Sequence, residues 1–388
     1  MKKQLISTVI FLLSFVLVSG VVLASDLSFS KENIDFVQET GFDYRRYFFQ
    51  RPEINLIEEA LDDILDFDLI THEYAHQSKG IYINAWSAGN MNRMEEAIEL
   101  IKSSELNSVI IDIKDATGRI TFMNSDDLKT PAPTIYDLEY LINRLKEEGI
   151  YVIGRVVLFQ DHSLALKGPE YSLTYKLNDS DIMINSSKWV NPYEYKVWDY
   201  TLNIAEKAIE YGIDEVKFDY IRFPTLATNS RLSIETDGER TKSEVILDFL
   251  EYANYRFEPY DVFISTDVYG LTTTVEGDLG IGQDITKIKD YVDFISPMIY
   301  PSHYTSGMYG IDDPDSEPYK LIKRSLEDAI EKLGDESHKL RPWLQDFSLN
   351  SHYTEKEIRA QINAVEELGI EGWTLWSPSS SYTIEAFK

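Results

Sequence analysis

Short apolar runs alternate with amphipathic segments along most of this chain. From residue 79 onward the alternation occurs eight times. The runs are rich in valine, isoleucine and aromatic residues, which favours β-strands, whereas the segments between them repeat apolar residues at helical spacing. The predicted strands span 80–85, 108–113, 151–158, 215–220, 262–268, 294–300, 341–347 and 372–377. The predicted helices span 92–103, 135–148, 194–211, 243–257, 318–333 and 355–368, with a short one at 283–290.

This alternation indicates the fold class. Strands that alternate with helices form a parallel sheet covered by helices, and eight such units match a (β/α)8 TIM barrel. We therefore predict an α/β TIM-barrel domain over residues 77–388. An open, doubly wound sheet is the alternative, but no Gly-x-Gly-x-x-Gly turn follows the first strand. The long loops 160–192, 222–242 and 301–317 follow strands, so in a barrel they lie on the catalytic face.

The first residues have the pattern of a secretory signal peptide. Lys2 and Lys3 precede an apolar run over 5–18, and small or apolar residues lead to Ala24. We predict a signal peptide at 1–24, with an uncleaved N-terminal anchor as the alternative. Apolar residues at helical spacing then predict an N-terminal helical extension over 25–76. The protein is expected outside the bacterial cytoplasm, secreted or at the cell surface.

Composition narrows the ligand classes. The 388 residues carry a net charge of −29, which argues against nucleic acid or an anionic membrane as a partner, since both require basic patches. With no cysteine, disulfides, thiolate metal sites and a cysteine nucleophile are excluded. Aromatic residues make up 13% of the chain, which suits a sugar-binding groove. The sequence implies no cofactor and specifies no oligomeric state.

The strand at 215–220 carries the most informative pattern. Side chains alternate across a strand, so Lys217 and Asp219 point to one side and their apolar neighbours to the other. A buried charge pair loses much of its hydration energy, which places this pair at the rim of a site. A structural ion pair inside the barrel is the alternative.

Other polar and aromatic residues also fall at predicted strand ends, where barrels carry their chemistry. Besides Lys217, the candidate substrate-binding residues are Asp115, Arg155, Arg222, Tyr300, His303, Asp346 and Trp376.

Two carboxyl groups are the requirement for glycoside hydrolysis. Asp219 suits the ionised role, because Lys217 and Arg222 would stabilise its charge. Asp267, on the neighbouring strand, lies in an apolar and aromatic setting that would raise its pKa and keep it protonated as the general acid. Asp115 and Asp346 are competing candidates for the acid. Retaining and inverting stereochemistry both stay open.

Several runs resemble a glycoside hydrolase-like TIM-barrel domain that occurs in many exported bacterial proteins. They are KGIYINAW (79–86), VIIDIKDATG (109–118), VKFDYIRFP (216–224), ISPMIYPSHY (295–304), LRPWLQDF (340–347) and EGWTLWSP (371–378). The resemblance implies a TIM barrel and a carbohydrate substrate, without specifying the sugar. A carbohydrate-binding barrel without catalysis is the main alternative function, since a fold does not guarantee chemistry.

One motif indicates a different chemistry. His72, Glu73 and His76 match the His-Glu-x-x-His pattern of zinc peptidases. The motif lies directly before the first predicted strand, whereas zinc peptidases hold it in a long helix and add a third ligand. A polar helix end explains the motif equally simply. We predict no metal site and keep the zinc peptidase as the lesser alternative.

Overall fold

The computed structural model describes residues 74–123, 132–178, 180–226 and 231–387. Tyr74–Glu258 and Val262–Lys388 together form one compact unit. The predicted signal peptide, residues 25–73 of the predicted helical extension, and His72 and Glu73 of the zinc-peptidase motif lie outside the described residues.

The strands of the described residues belong to two sheets. In chain order they are β1 (Lys79–Ile83), β2 (Ser108–Lys114), β3 (Tyr151–Val157), β4 (Ser172–Leu177), β5 (Met183–Val190), β6 (Glu215–Asp219), β7 (Leu232–Ile234), β8 (Phe263–Tyr269), β9 (Phe294–Met298), β10 (Trp343–Gln345) and β11 (Trp373–Trp376). Eight of them form a closed barrel in the order β1-β11-β10-β9-β8-β6-β3-β2, and neighbours run parallel. The predicted (β/α)8 barrel is confirmed.

A helix connects each pair of consecutive barrel strands. The helices are α1 (Ala85–Ala88), α2 (Met91–Lys102), α3 (Leu138–Glu147), α4 (His162–Ala165), α5 (Tyr195–Glu210), α6 (Lys242–Phe257), α7 (Ile285–Ile288), α8 (Pro318–Leu333) and α9 (Glu355–Glu366). Their buried faces consist mainly of leucine, isoleucine, valine, alanine and aromatic side chains. None of these described helices has the length and apolarity that crossing a bilayer requires.

The predicted helices agree closely with the observed ones because the sequence marks their ends. Thr241 before α6 and Thr354 before α9 each form a capping box with the glutamate three residues later. In such a box the threonine hydroxyl accepts from a backbone N–H of the first turn, and the glutamate accepts from the threonine N–H. Helix α8 instead begins with Pro318, whose fixed φ suits the first helical position.

The second sheet is an addition that the sequence pattern did not predict. Strand β4 pairs antiparallel with both β5 and β7, so the sheet order is β5-β4-β7. Strands β4 and β5 lie in the long segment after β3, and β7 lies in the long segment after β6. Two of the predicted loops therefore pair with each other at the carboxyl-terminal end of the barrel.

The interior of the barrel is charged as well as apolar. Glu215, Lys217 and Arg341 are fully buried inside it. Arg341 contacts Glu215, and Tyr151 Oη donates to the same carboxylate at 3.1 Å. Buried charges are tolerated when they are paired and hydrogen-bonded. These pairs form the floor beneath the open end of the barrel.

Candidate active site

A cavity of about 450 Å³ opens at the carboxyl ends of the barrel strands. Seven of the residues predicted from the sequence line it: Arg155, Asp219, Arg222, Asp267, Tyr300, His303 and Trp376. They come from β3, β6, β8, β11 and the segments after β6 and β9. Strand ends that are distant in sequence meet here because all eight barrel strands run in the same direction.

Asp219 is the last residue of β6, and two groups hold its carboxylate. Arg155 Nε donates to Asp219 Oδ2 at 3.0 Å, and Arg155 Nη2 donates to the same oxygen. The backbone N–H of Tyr220 donates to Asp219 Oδ1 at 2.6 Å. An arginine and a backbone N–H therefore fix the position of this carboxylate through hydrogen bonds to both of its oxygens.

Arg155 joins two carboxylates. Its Nη1 donates to Asp112 Oδ1 at 2.5 Å, and Tyr82 Oη donates to Asp112 Oδ2 at 2.6 Å. Burial disfavours the guanidinium charge, but Asp219 and Asp112 outweigh it and raise the pKa of Arg155 well above its usual range. Arg155 is therefore a fixed cation that orients Asp219 from β3.

Asp267 stands on the adjacent strand. The register pairs Lys217 with Ser265 and Phe218 with Thr266, so Asp219 and Asp267 are the next residues along β6 and β8. Trp343 Nε1 donates to Asp267 Oδ1 at 2.6 Å, and Lys217 Nζ lies 3.5 Å from the same oxygen. Burial raises the pKa of Asp267 to about 6, against the lowering effect of Lys217.

The two carboxyl groups therefore differ in their electrostatic surroundings. Asp219 contacts an arginine and a backbone donor, whereas the dominant influence on Asp267 is the loss of solvent. The charge of Asp219 further raises the pKa of Asp267. Two nearby carboxyl groups in different electrostatic surroundings can serve as a base or nucleophile and an acid.

An aromatic wall borders the cavity near β9, β10 and β11. The Tyr300 and Trp376 rings lie 5.4 Å apart, and Phe347 packs edge-on against Trp376 at 5.2 Å. The His303 ring lies 5.5 Å from Tyr300. Burial raises the pKa of Tyr300 and lowers that of His303, which keeps both side chains neutral near pH 7. Flat, neutral rings on a cavity wall can stack on sugar faces.

The structure corrects the predicted partners of Asp219. Lys217 is fully buried below the cavity, where its ammonium donates to Ser296 Oγ at 2.6 Å and faces Asp267. Arg222 lines the cavity but is surrounded by aromatic rings. The charge of Asp219 is balanced by Arg155 instead, because β3 is the other neighbour of β6 in the barrel. Lys217 therefore has no route to substrate in the cavity.

Two further predicted residues lie outside the cavity. Asp115 Oδ1 accepts from the backbone N–H groups of Thr117 and Arg119, at 2.8 and 3.1 Å, and so closes a turn after β2. Asp346 accepts from the backbone N–H and the hydroxyl of Thr383, both at 2.9 Å. The expected role of both residues in substrate binding is therefore wrong. Each carboxylate instead accepts hydrogen bonds from nearby residues of its own loop or of the chain's C-terminal segment. They also weaken both residues as alternatives to Asp267 for the acid.

Sequence reasoning missed three residues that shape the site: Tyr82, Asp112 and Trp343. Asp112 repeats the signal that singled out Asp219, an acid within an otherwise apolar strand, and could have been found by it. Trp343 and Tyr82 had no such signal, because their polar atoms act through partners on other strands.

The zinc-peptidase motif gains no structural support. His72 and Glu73 lie outside the described residues, and His76 has its ring 5.1 Å from that of Phe294. Within the parts of the chain that the structure describes, no cluster of three or more histidine, aspartate or glutamate side chains is arranged to hold a metal ion.

Comparisons with known proteins agree with this fold. The model of a family described as "Putative glycosyl hydrolase domain" matches residues 80–382. The glycoside hydrolase domain of PgaB (BpsB) from Bordetella bronchiseptica shares the fold with a TM-score of 0.59 and 11% identity, over 78% of this chain and 94% of that one. The endo-beta-1,4-mannanase from Thermotoga petrophila gives 0.51 and 13%, over 77% of this chain and 67% of that one. No curated protein matches the sequence.

Proposed function

The chain belongs to the family described as "Putative glycosyl hydrolase domain", and we propose that it hydrolyses glycosidic bonds with Asp219 and Asp267 as the reacting carboxyl pair. The observation that carries this proposal is the contrast between two carboxyl groups at adjacent strand ends. Asp219 pairs with the guanidinium of Arg155, while burial keeps Asp267 protonated up to a pH of about 6. Both line one cavity.

The proposed chemistry follows from the different surroundings of the two carboxyl groups. Asp267 donates its proton to the glycosidic oxygen as the bond to the anomeric carbon breaks. Asp219 either attacks the anomeric carbon or takes a proton from the water that attacks it. Arg155 touches Asp219 directly and holds the carboxylate in place, which limits the motion required to reach the transition state. Tyr300 and Trp376 offer ring faces on which the sugar can stack.

Glycan hydrolysis by purified variants tests this assignment. Reducing-sugar release is measured across a panel of bacterial and plant polysaccharides for the wild type, Asp219→Asn and Asp267→Asn. Removal of a general acid lowers kcat by roughly 10²–10⁴-fold, and loss of Asp219 should cost at least as much. Asp115→Asn is the matched control, because this carboxylate lies outside the cavity, and it should retain turnover.

The outcomes separate the alternatives. Turnover that persists in Asp219→Asn contradicts the proposed mechanism even if the protein is a glycosidase. Folded wild-type protein that binds a glycan but releases no reducing sugar on any substrate favours a carbohydrate-binding barrel.

We also propose that the protein acts outside the bacterial cytoplasm. The support is the sequence of residues 1–24, in which two lysines, an apolar run and a small-residue end follow the order of a signal peptide.

A further inference from the structure

Arg222 is an arginine with an unusual environment. It follows Asp219 by three residues, lines the cavity and is 7% exposed. Its guanidinium lies 4.9 Å from the ring centres of Trp189 and Tyr220 and 4.5 Å from that of Tyr269. These rings come from β5 of the second sheet, from the turn after β6 and from the end of β8. Three separate elements therefore hold one guanidinium at the cavity.

The charge of Arg222 has no counterpart among the described residues. The other cations buried inside this barrel each have a carboxylate within 4.0 Å: Lys114, Arg155, Lys217 and Arg341. No described carboxylate comes within that distance of Arg222. Among described residues its guanidinium donates one hydrogen bond, from Nη1 to the carbonyl oxygen of Phe223 at 3.2 Å. A guanidinium has five N–H donors, so most of them are left for a group in the cavity.

Aromatic rings do not replace the missing anion. They attract a cation over their faces, but they accept no hydrogen bonds in the plane of the guanidinium. A desolvated charge is normally paired, since burying it alone is costly. The three rings surround the guanidinium and limit its motion, and a planar guanidinium with free N–H groups can bind a carboxylate or phosphate through two oxygens.

The backbone links this cation to the catalytic carboxylate. Tyr220 has a φ of 51°, which is uncommon for a residue other than glycine. This conformation lets its N–H donate to Asp219 while its ring packs beside Arg222. Strained residues of this kind persist where the surrounding structure holds them, often at functional sites. The group that Arg222 binds thus enters the same cavity as the scissile bond.

We infer that Arg222 binds an anionic substituent, a carboxylate or a phosphate, on the sugar unit that occupies the cavity. The inference rests on the proposed function, because it assigns the substrate class of the same site. The net charge of −29 repels densely charged polyanions at long range. The preferred substrate is therefore a glycan with isolated acidic groups, rather than a continuous polyanion.

Binding to paired oligosaccharides tests the inference without requiring turnover. Full-length Asp267→Asn protein is titrated calorimetrically with uronate-bearing, lactyl ether-bearing and phosphate-bearing oligosaccharides. Each is paired with its neutral counterpart, made by carboxyl reduction or dephosphorylation. At least one acidic member should bind roughly 10–100-fold more tightly than its neutral partner, as expected for a hydrogen-bonded charged pair. The pair that shows the difference identifies carboxylate or phosphate.

Arginine variants of the Asp267→Asn protein test whether Arg222 causes the preference for the acidic member. Arg222→Gln should abolish the preference for the acidic member, and Arg222→Lys should restore part of it through charge alone. Arg240→Gln is the matched control, because Arg240 also lies over aromatic rings but pairs with Asp237 and Asp248. It should leave the preference unchanged.

The results distinguish this inference from the proposed function. Equal binding of both members in every pair, or a preference that survives Arg222→Gln, overturns the role of Arg222. If Arg222→Gln turns over neutral glycans at an unaltered rate, the proposed glycosidase function stands and the anionic substrate is contradicted. If the preference for the acidic member depends on Arg222 but the wild type turns over no glycan, the anion site stands and the glycosidase function is contradicted.

Discussion

The ion pairs of three charged residues on β6 depend on the strands around them. Glu215, Lys217 and Asp219 alternate with apolar residues and all point into the barrel. Glu215 pairs with Arg341, Lys217 with Asp267, and Asp219 with Arg155. Each pairs across the barrel or with a neighbouring strand, so the closest charge in the sequence is not the main partner. A spacing of two residues establishes a shared face but not a contact.

The pH dependence of catalysis follows from Asp267. Its proton is required for departure of the leaving group, and burial raises its pKa to about 6. We therefore expect kcat/KM to fall as the pH rises through about 6, because the acid loses its proton. Lys217→Met removes a cation that favours the ionised form, so this alkaline limb should move to higher pH. Initial rates from pH 4 to 9 measure the shift.

The wild type and Asp115→Asn serve as references for this profile. Asp115→Asn should keep the limb of the wild type, since its side chain closes a turn outside the cavity. A limb that stays in place in folded Lys217→Met protein argues that Asp267 is not the acid.

At the scale of elements, a helix completes a short barrel strand. Strand β10 has three residues. The Gln361 side chain on α9 accepts from the backbone N–H of Gln345 at 2.9 Å and donates to its carbonyl oxygen at 2.8 Å. The buried end of β10 thus obtains its hydrogen bonds from a helix, as buried backbone groups require. The position of α9 therefore affects β10, the strand that leads to Phe347 of the aromatic wall.

The capping box of α9 supports a stability prediction. Thr354→Ala removes the hydroxyl that accepts from the first turn, and such a loss costs about 1 kcal/mol of unfolding free energy. Urea denaturation of the full chain measures the change. Lys356→Ala, in the same exposed turn, should alter the free energy by less than about 0.5 kcal/mol. Equal effects of the two substitutions would show that the box does not stabilise the helix.

The second sheet explains why one of the rings around Arg222 was not foreseen. Tyr175 of β4 pairs with Ile184 of β5 and with Ile234 of β7. Strand β7 has three residues and β5 is largely exposed, so their sequences lack the apolar pattern that identifies buried strands. Their pairing joins segments that follow two different barrel strands. Through Trp189, this sheet brings one of the three rings to Arg222.

At the scale of the whole molecule, residues 1–24 support a prediction of export. If residues 1–24 are a signal peptide, expression in a bacterial host should place the protein outside the cytoplasm with its N-terminus at Ser25. N-terminal sequencing of the fractionated protein measures this. Replacing Lys2 and Lys3 with glutamate should reduce export, because the signal requires a basic N-terminal region. A membrane fraction that retains Met1 would indicate an uncleaved anchor instead.

Net charge and local charge act on different scales in this protein. The total of −29 governs long-range attraction and solubility. Arg222 acts over a few ångströms, because its side chain is buried at the edge of the cavity. Composition alone therefore disfavoured polyanions such as nucleic acid, but it gave no information on an individual cation such as Arg222, which lines the cavity.

The sequence by itself determined the barrel, its eight strands and most helix boundaries. Apolar periodicity and capping residues such as Thr241 act locally, so they are readable from neighbouring positions. It also predicted the residues at the strand ends, because in a parallel barrel every strand contributes its carboxyl end to one face.

Only the tertiary structure decided which of those residues meet. Arg155 rather than Lys217 contacts Asp219, Trp343 contacts Asp267, and Asp115 closes a turn. These outcomes depend on strand order, on the layer a side chain occupies and on its length. None of these quantities is encoded in spacing along one strand, because they arise only when distant segments pack together.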